Sequence, residues 1–154
     1  MENIFGDETK KLGFGLMRLP EATASGDFGN IDIELTKKMV DRFLSEGFTY
    51  FDTAWMYCGF KSEDAAGEAL VKRHSRDEFT LATKLHCGFF DNEDEMENVF
   101  KTQLEKTKVD YFDYYLLHDL GEDHYKKYQK YGCICRNKRP APCPVGLCRR
   151  SPRS

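Results

Sequence analysis

The chain has 154 residues, of which 40% are hydrophobic and 32% charged, with a formal net charge of -3 and a pI of about 5.8. The length predicts one globular domain of ordinary size, and the slightly acidic balance gives no reason to expect nucleic-acid binding. No segment is apolar for long enough to span a membrane, and the first residues lack a secretory signal, so a cytoplasmic protein with reduced thiols is expected.

The first part of the chain predicts a strand, a helix and a second strand. Residues 11–19, KLGFGLMRL, are typical of a strand whose two glycines mark a bend or a close approach to the backbone. Apolar side chains recur at helical spacing over 32–46, which predicts a helix, and Gly47 suits the position just past its end. The apolar segment FTYF at 48–51 predicts the second strand.

Helices and strands continue to alternate along the chain. The sequence predicts a helix at 63–73 capped by Ser62, a strand at 79–84, a helix at 93–107, a strand at 111–118 and a helix at 122–131. Strands separated by helices favour parallel pairing and an α/β fold, either a doubly wound sheet or a (β/α)8 barrel. The segment GFGLMR at 13–18 begins like a dinucleotide-binding fingerprint. It lacks the third glycine and the helix that must follow, which argues against the doubly wound alternative.

Polar side chains end three consecutive predicted strands. Asp52 ends the second, Lys84 the third and His118 the fourth, while Tyr57 lies in the loop after Asp52. Each has an ordinary structural explanation, since Asp is common at turns, Tyr and His are often half-buried, and Lys is usually a solvated charge. However, the carboxyl ends of parallel strands meet at one edge, where ligands bind in open sheets and barrels alike. We therefore expect these four side chains to share one site.

The four residue types together suit the reduction of a carbonyl group. A free tyrosine has a pKa near 10, which is too high for an efficient proton donor at neutral pH. A neighbouring ammonium stabilises the phenolate, and a carboxylate beside the ammonium keeps it charged and in place. A histidine next to the phenol can donate a hydrogen bond to the carbonyl oxygen. Such a set would protonate that oxygen while another group delivers hydride.

Four sequence motifs resemble those of the aldo-keto reductases. They are KLGFGLMRLP near the start, FDTAWMY followed by KSEDAAGEAL, LATKL, and VDYFDYYLLH, and they stand in the order and at the spacing of that family. The resemblance covers about residues 10–131. The sequences of these motifs are closest to those of bacterial members that often carry an iron–sulfur domain further along the chain.

The resemblance implies a TIM-type (β/α)8 barrel and the reversible reduction of an aldehyde or ketone with NADPH or NADH. In the family pattern Tyr57 matches the proton donor, and Lys84 and Asp52 match the pair that tunes it. His118 matches the residue that orients the carbonyl group of the substrate. The implied partner is a small-molecule carbonyl compound, with no metal, nucleic acid or membrane involved.

Two further positions are implied to bind ligands. Gly15, at the end of the first strand, would lie close to the cofactor together with Asp52. Trp55 would face the substrate. The alternative, which the sequence supports equally, is that Trp55 only packs against neighbouring side chains.

The chain departs from the family pattern after about residue 132. A complete (β/α)8 barrel takes about 250 residues, whereas only the first four βα units are recognisable. Residues 1–132 are therefore expected to form the N-terminal half of a barrel. The residues with which family members hold most of the cofactor belong to the other half. A half barrel has two exposed sheet edges, so poor folding, aggregation or self-association through those edges is expected.

Residues 133–154 have a different composition from the rest. They contain four of the six cysteines, four of the five prolines, six basic residues and no acid, which leaves a net charge of -9 for residues 1–132. A metal site has little support, because these cysteines form no C-x-x-C pair. A basic disordered tail and a segment read from a shifted frame are the other interpretations, and the abrupt change favours the shifted frame.

Two classes of function stay open at this point. One is an NAD(P)H-dependent carbonyl reductase, which the four filled catalytic positions favour. The other is a non-catalytic family member that binds nucleotide or acts as a scaffold or regulator, which the missing half of the barrel favours.

Overall fold

The computed structural model describes residues 10–24, 26–27 and 29–133. Within that part of the chain, one parallel sheet follows chain order, with strands β1 (Gly13–Gly15), β2 (Tyr50–Asp52), β3 (Thr80–Leu85) and β4 (Tyr114–Leu117). This order confirms the predicted α/β class. The tail at 134–154 lies outside the described residues, so what was expected of it stays a prediction.

Helices connect the strands. They are α1 (Ile33–Ser45), the single turn α2 (Tyr57–Phe60), α3 (Ser62–Ala66) with a π-helical continuation (Gly67–Val71), α4 (Glu93–Thr107) and α5 (Glu122–Lys130), with 3-10 turns at Arg76–Glu78 and Cys87–Phe89. Asp32 and Asn92 cap α1 and α4 by accepting hydrogen bonds from backbone N–H groups of the first turn. None of the helices in the described part is long and apolar enough to cross a bilayer.

The hydrophobic core lies between these helices and the face of the sheet that they cover. Phe51 of β2 and Leu81 of β3 are fully buried there and belong to one cluster with Val40 of α1. A second cluster contains Met96 of α4 and Tyr128 of α5, which holds both helices against the ends of β3 and β4. Burial of each large apolar side chain stabilises the fold by about 1.5–3 kcal/mol.

The opposite face of the sheet is open in the described part of the chain. Strand residues that alternate with the core positions point to it. Tyr50 and Tyr114 lie there with their ring centres 6.0 Å apart, and Leu116 is 39% exposed. Partial burial and the neighbouring Asp52 carboxylate raise the pKa of Tyr50 to about 12. Strands β1 and β4 each have a single neighbour in the described sheet, as expected of half a barrel.

Helix α3 differs from the prediction at both ends. Ser62 does not act as its cap, because the buried hydroxyl donates to the Leu16 carbonyl oxygen (2.9 Å) and bonds the Thr53 hydroxyl (2.8 Å). The predicted single helix also changes to π-helical geometry at Gly67. A Cβ atom at Gly67 would lie 2.7 Å from the Lys106 carbonyl oxygen, so the close approach of α4 leaves no room for a side chain.

A buried carboxyl group lies between α3, α4 and β3. Glu63 is fully buried, and its Oε1 accepts hydrogen bonds from the Thr83 hydroxyl (2.7 Å) and the Gln103 side-chain amide (2.7 Å). Its Oε2 has no hydrogen-bond partner among the described residues. Burial raises the pKa of Glu63 above its ordinary value of 4.5, and the two hydrogen bonds oppose this only in part.

We expect Glu63 to make the fold less stable as the pH rises. The folded protein holds the Glu63 proton more tightly than the unfolded chain does. This contribution to stability is therefore fully present below the ordinary pKa of 4.5 and is lost as the pH rises through the raised folded value. Glu63→Gln should remove this decline, which urea unfolding at a series of pH values measures as a change in the free energy of unfolding.

Glu68→Gln is the matched control, on the π-helical segment that follows α3. A hydrogen bond from Lys72 lowers the pKa of Glu68. The contribution of Glu68 to stability is therefore present at higher pH and is lost on acidification, so its pH dependence has the opposite sign to that of Glu63. If the Glu63→Gln variant kept the pH dependence of the unchanged protein, the assignment of that dependence to Glu63 would be wrong.

Candidate active site

The carboxyl ends of β2 and β3 bring Asp52 and Lys84 together. In the sheet, Gly15 pairs with Asp52 and Asp52 with Ala82, which places Lys84 two residues further along the same face. The Lys84 ammonium donates hydrogen bonds to Asp52 Oδ1 (2.5 Å) and to the Thr53 carbonyl oxygen (2.8 Å). The side chains of Lys84 and Asp52 are only 12% and 26% exposed, so water screens this ion pair weakly.

Tyr57 lies against the same ammonium, and His118 lies against Tyr57. Lys84 Nζ lies 4.7 Å from the centre of the Tyr57 ring, and the His118 ring packs edge-on against Tyr57 with centres 5.6 Å apart. Burial and the charge of Lys84 lower the pKa of His118 below its ordinary value of 6.5, so the imidazole is neutral at neutral pH. Its Nδ1 is buried and has no hydrogen-bond partner among the described residues. The structure thus brings all four predicted side chains to one place.

A left-handed turn carries Tyr57 to this position. The three residues after it, Cys58, Gly59 and Phe60, have φ values of 50°, 59° and 68°. Only glycine adopts this backbone readily, so Cys58 and Phe60 are held there by the surrounding structure. One such contact runs from the buried Cys58 thiol to the Leu16 carbonyl oxygen (3.4 Å), which ties the turn to the segment after β1.

Gly15 and Trp55, the two further positions expected to bind ligands, have different surroundings. Gly15 lies beside Asp52, and a Cβ atom added to it would meet no atom within 4 Å. The Trp55 ring packs against Phe60 and Phe89, with centres 6.5 Å and 6.2 Å away. Gly15 therefore borders open space, whereas Trp55 belongs to an aromatic cluster at the loops after β2 and β3.

A buried tyrosine that sequence reasoning missed fixes the ends of β3 and β4. The Tyr128 hydroxyl accepts a hydrogen bond from the Cys87 N–H (3.0 Å) and shares its proton between the carbonyl oxygens of Leu85 (2.8 Å) and His118 (2.7 Å). Burial raises the pKa of Tyr128, so it stays a hydroxyl donor. No signal in the sequence marked it, because α5 carries two tyrosines and only its packing decides which one is buried.

His86 was also missed, although a signal for it existed. It follows β3 directly, at the edge where Lys84 and His118 were expected. Its ring lies edge-on to His118 with centres 5.5 Å apart. Burial lowers the pKa of His86, which makes it a second neutral imidazole beside the first.

The chain is similar to known proteins over most of its length. A model of the Aldo/keto reductase family matches residues 11–137. Methylglyoxal reductase DkgA of Yersinia pestis is 35% identical over 96 residues, which is 60% of this chain and 32% of that protein. Aldo-keto reductase family 1 member C4 of Homo sapiens is 30% identical over 112 residues, which is 70% of this chain and 31% of that protein. The chain thus spans about a third of the length of these relatives.

Solved structures of aldo-keto reductases share the fold. One from Klebsiella pneumoniae in complex with NADPH matches with a TM-score of 0.59 at 22% identity, over 81% of this chain and 42% of that chain. One from Bacillus halodurans in its holo form matches with a TM-score of 0.54 at 26% identity, over 81% of this chain and 43% of that chain. These likenesses confirm the expectation of a TIM-type barrel of which this chain has the first four βα units.

Proposed function

Because the chain belongs to the aldo/keto reductase family, we propose that it carries the proton-donating groups of a site that reduces an aldehyde or ketone to an alcohol. The observation that carries the proposal is the position of the Lys84 ammonium, which contacts both Asp52 and the ring of Tyr57. His118 lies against the same tyrosine and completes the set.

Tyr57 is the proposed proton donor. As the carbonyl oxygen gains negative charge, the phenol transfers its proton to that oxygen and becomes a phenolate, which the Lys84 ammonium stabilises. Asp52 keeps Lys84 charged and in place through their hydrogen bond. The nicotinamide cofactor, when bound, supplies the hydride for the new C–H bond, while the π electrons of the carbonyl move to the oxygen that takes the proton.

His118 is proposed to orient the carbonyl group. A neutral imidazole can donate a hydrogen bond to the carbonyl oxygen, whereas an imidazolium would compete with Tyr57 as the proton donor. The lowered pKa of His118 favours the neutral form.

NADPH, or else NADH, is the proposed cofactor, since a structural relative is in complex with NADPH. The described residues fit the nicotinamide end of such a molecule, because the open space at Gly15 lets a flat ring approach the backbone beside Asp52. Trp55 is proposed to contact a small carbonyl substrate. A cytoplasmic location, where reduced nicotinamide cofactors are available, stays a prediction.

The proposed function is tested by titrating the full chain with NADPH while following the fluorescence of Trp55, its only tryptophan. Reduced nicotinamide absorbs where tryptophan emits, so a cofactor bound near Trp55 should quench it in a saturable way. ADP-ribose, which lacks the nicotinamide, is the control ligand. A folded chain that shows no saturable binding of NADPH would not be a reductase.

A non-catalytic nucleotide-binding or regulatory protein is the second proposal. Nucleotide binding alone would need the open space at the strand ends, which Gly15 borders, and no proton transfer by Tyr57. The same titration separates the two functions. Saturable binding without turnover of any aldehyde would favour the regulatory protein, and binding with turnover would favour the reductase.

We also propose that two copies associate through the open face of the sheet. This face carries Tyr50, Tyr114 and the exposed Leu116, and it is bounded by the edges of β1 and β4. A second copy suits it, because β4 of each copy can pair with β1 of the other around a two-fold axis and so remove both free edges.

Leu116→Lys is expected to weaken this association by about tenfold or more, because burial of a leucine side chain is worth about 1.5–3 kcal/mol and a lysine opposes it. Leu120→Lys is the control, since Leu120 is 59% exposed and follows β4 rather than lying in the sheet. Light scattering over a range of protein concentrations measures the effect. A monomer at all concentrations in the unchanged protein would contradict the proposal.

A further inference from the structure

Three of the four histidines of the chain lie together beside the proposed active site. His86 follows β3, His118 follows β4, and His124 lies in the first turn of α5. The ring centres of His86 and His124 are 5.1 Å apart, at an angle of 72°. The Asp119 carboxylate joins them, so that one ligand atom each from His86, Asp119 and His124 lies within 4.8 Å of the others.

We propose that His86, Asp119 and His124 form a binding site for a divalent transition metal ion of the zinc type. Two imidazoles and one carboxylate are a ligand set that such ions prefer, and water completes their coordination. Mg²⁺ and Ca²⁺ fit less well, because they prefer oxygen ligands. The site does not depend on the proposed reductase activity, since none of its three ligands has a role in that reaction.

The His124 ring lies beside Asp119, with its Nδ1 3.4 Å from the carboxylate oxygen Oδ2. Its Nδ1 lies 2.7 Å from the Asp119 carbonyl oxygen, and because a carbonyl only accepts, Nδ1 must donate. The neutral ring therefore keeps a lone pair on Nε2 for a metal ion. Metal-bound histidines usually donate such a hydrogen bond to a carbonyl oxygen from the ring nitrogen that does not bind the metal ion. The hydrogen bond fixes the tautomer and the direction of the ring.

His86 must give up one hydrogen bond in order to bind a metal ion. Its Nδ1 accepts from the Gly88 N–H (2.9 Å). An ion at Nδ1 would replace that N–H, and an ion at Nε2 would move the ring proton to Nδ1, which could then no longer accept. Either way, the Gly88 N–H loses its partner when the metal ion binds. This gives the site a structural signature that simple surface binding would not produce.

The backbone that carries two of the ligands is held in place. The buried Tyr128 hydroxyl bonds the Leu85 and His118 carbonyl oxygens, which immediately precede His86 and Asp119. Asp119 itself has a positive φ of 54°, a left-handed conformation that aspartate adopts more readily than most residues and that turns the chain after β4. The geometry of the cluster therefore follows from the packing of α5 rather than from a loose surface loop.

Access and charge also favour an ion at this place. The side chains of His124 and Asp119 are 35% and 66% exposed, so the ion can enter from water. Lys127 is the nearby charge that opposes a cation at His86. It forms an ion pair with Asp91 (2.7 Å), which reduces its effect.

Titration of the full chain with Zn²⁺ by calorimetry and with Co²⁺ by visible absorption tests the site. The cysteines compete for these ions, so accessible thiols are first blocked with N-ethylmaleimide, and the near-ultraviolet band of thiolate-bound Co²⁺ reports any that escape. We expect saturation at one ion per chain without that band. NMR should show the Gly88 amide signal, and not only those of the ligands, shifting during the Zn²⁺ titration.

His124→Gln and His86→Gln are expected to weaken binding at least about tenfold, since each removes a direct ligand. His74→Gln is the matched control, because His74 bonds Asp41 (2.9 Å) on another side of the molecule, and it should change the affinity less than twofold. His124 is on a helix surface, so its replacement leaves the core intact, and circular dichroism checks this. The proposal is overturned by an absence of saturable binding in the thiol-blocked chain, by unchanged affinity in both cluster variants, or by an equal loss in His74→Gln.

Discussion

Replacing Tyr57 by phenylalanine is expected to abolish carbonyl reduction while leaving NADPH binding nearly unchanged. The change removes the hydroxyl that would protonate the carbonyl oxygen, and general acid catalysis of this kind contributes about 10²–10⁴-fold in rate. It keeps the aromatic ring, which lies 4.7 Å from Lys84 Nζ and 5.6 Å from the His118 ring. Turnover is measured as the loss of reduced nicotinamide absorbance with an aldehyde, and binding as quenching of Trp55 fluorescence.

Tyr125→Phe is the matched control for this experiment. Tyr125 lies on α5 and is 42% exposed, so removal of its hydroxyl should alter neither quantity. Turnover in Tyr57→Phe at the rate of the unchanged protein would remove Tyr57 as the proton donor. Loss of NADPH binding together with turnover would instead assign Tyr57 to the binding of the cofactor.

The ends of α1 and α4 could be predicted because their signals are local. The structure has α1 at Ile33–Ser45 against the predicted 32–46, and α4 at Glu93–Thr107 as predicted. Amphipathic spacing and side-chain caps act within a few residues of the chain. Strand β1 spans only Gly13–Gly15 of the predicted 11–19, because the length of a ladder depends on the neighbouring strand, which the local sequence does not specify.

The part of the site that lies at the strand ends could be predicted from the sequence. Asp52 and Lys84 meet because a parallel sheet aligns its carboxyl ends, and the order of elements was sufficient to show this. The turn that brings Tyr57 beside them was not predictable, since cysteine at position 58 carries no signal for a positive φ. Tyr128 was missed because the sequence of a helix with two tyrosines does not reveal which of them the tertiary packing buries.

Replacing Lys84 by methionine is expected to lower both turnover and stability, for separate reasons. Without the ammonium, nothing stabilises the phenolate that forms as Tyr57 gives up its proton, so reduction should fall by about 10²-fold or more. The Asp52 carboxylate, 26% exposed, also loses its hydrogen-bond donor, which should lower the free energy of unfolding by about 1–3 kcal/mol. Lys37→Met is the control, because the exposed ion pair of Lys37 with Glu34 contributes little.

A double-mutant cycle with Asp52→Asn separates these two reasons. Asparagine carries no charge, so the double variant Asp52→Asn with Lys84→Met has no isolated carboxylate and should regain part of the stability that Lys84→Met lost. It should regain none of the turnover, because the phenolate of Tyr57 still lacks its ammonium. Urea unfolding and the NADPH oxidation rate measure the two quantities on the same samples. If turnover returned together with stability, the ion pair would serve only to hold the fold, and the proposed electrostatic role of Lys84 in proton transfer would be wrong.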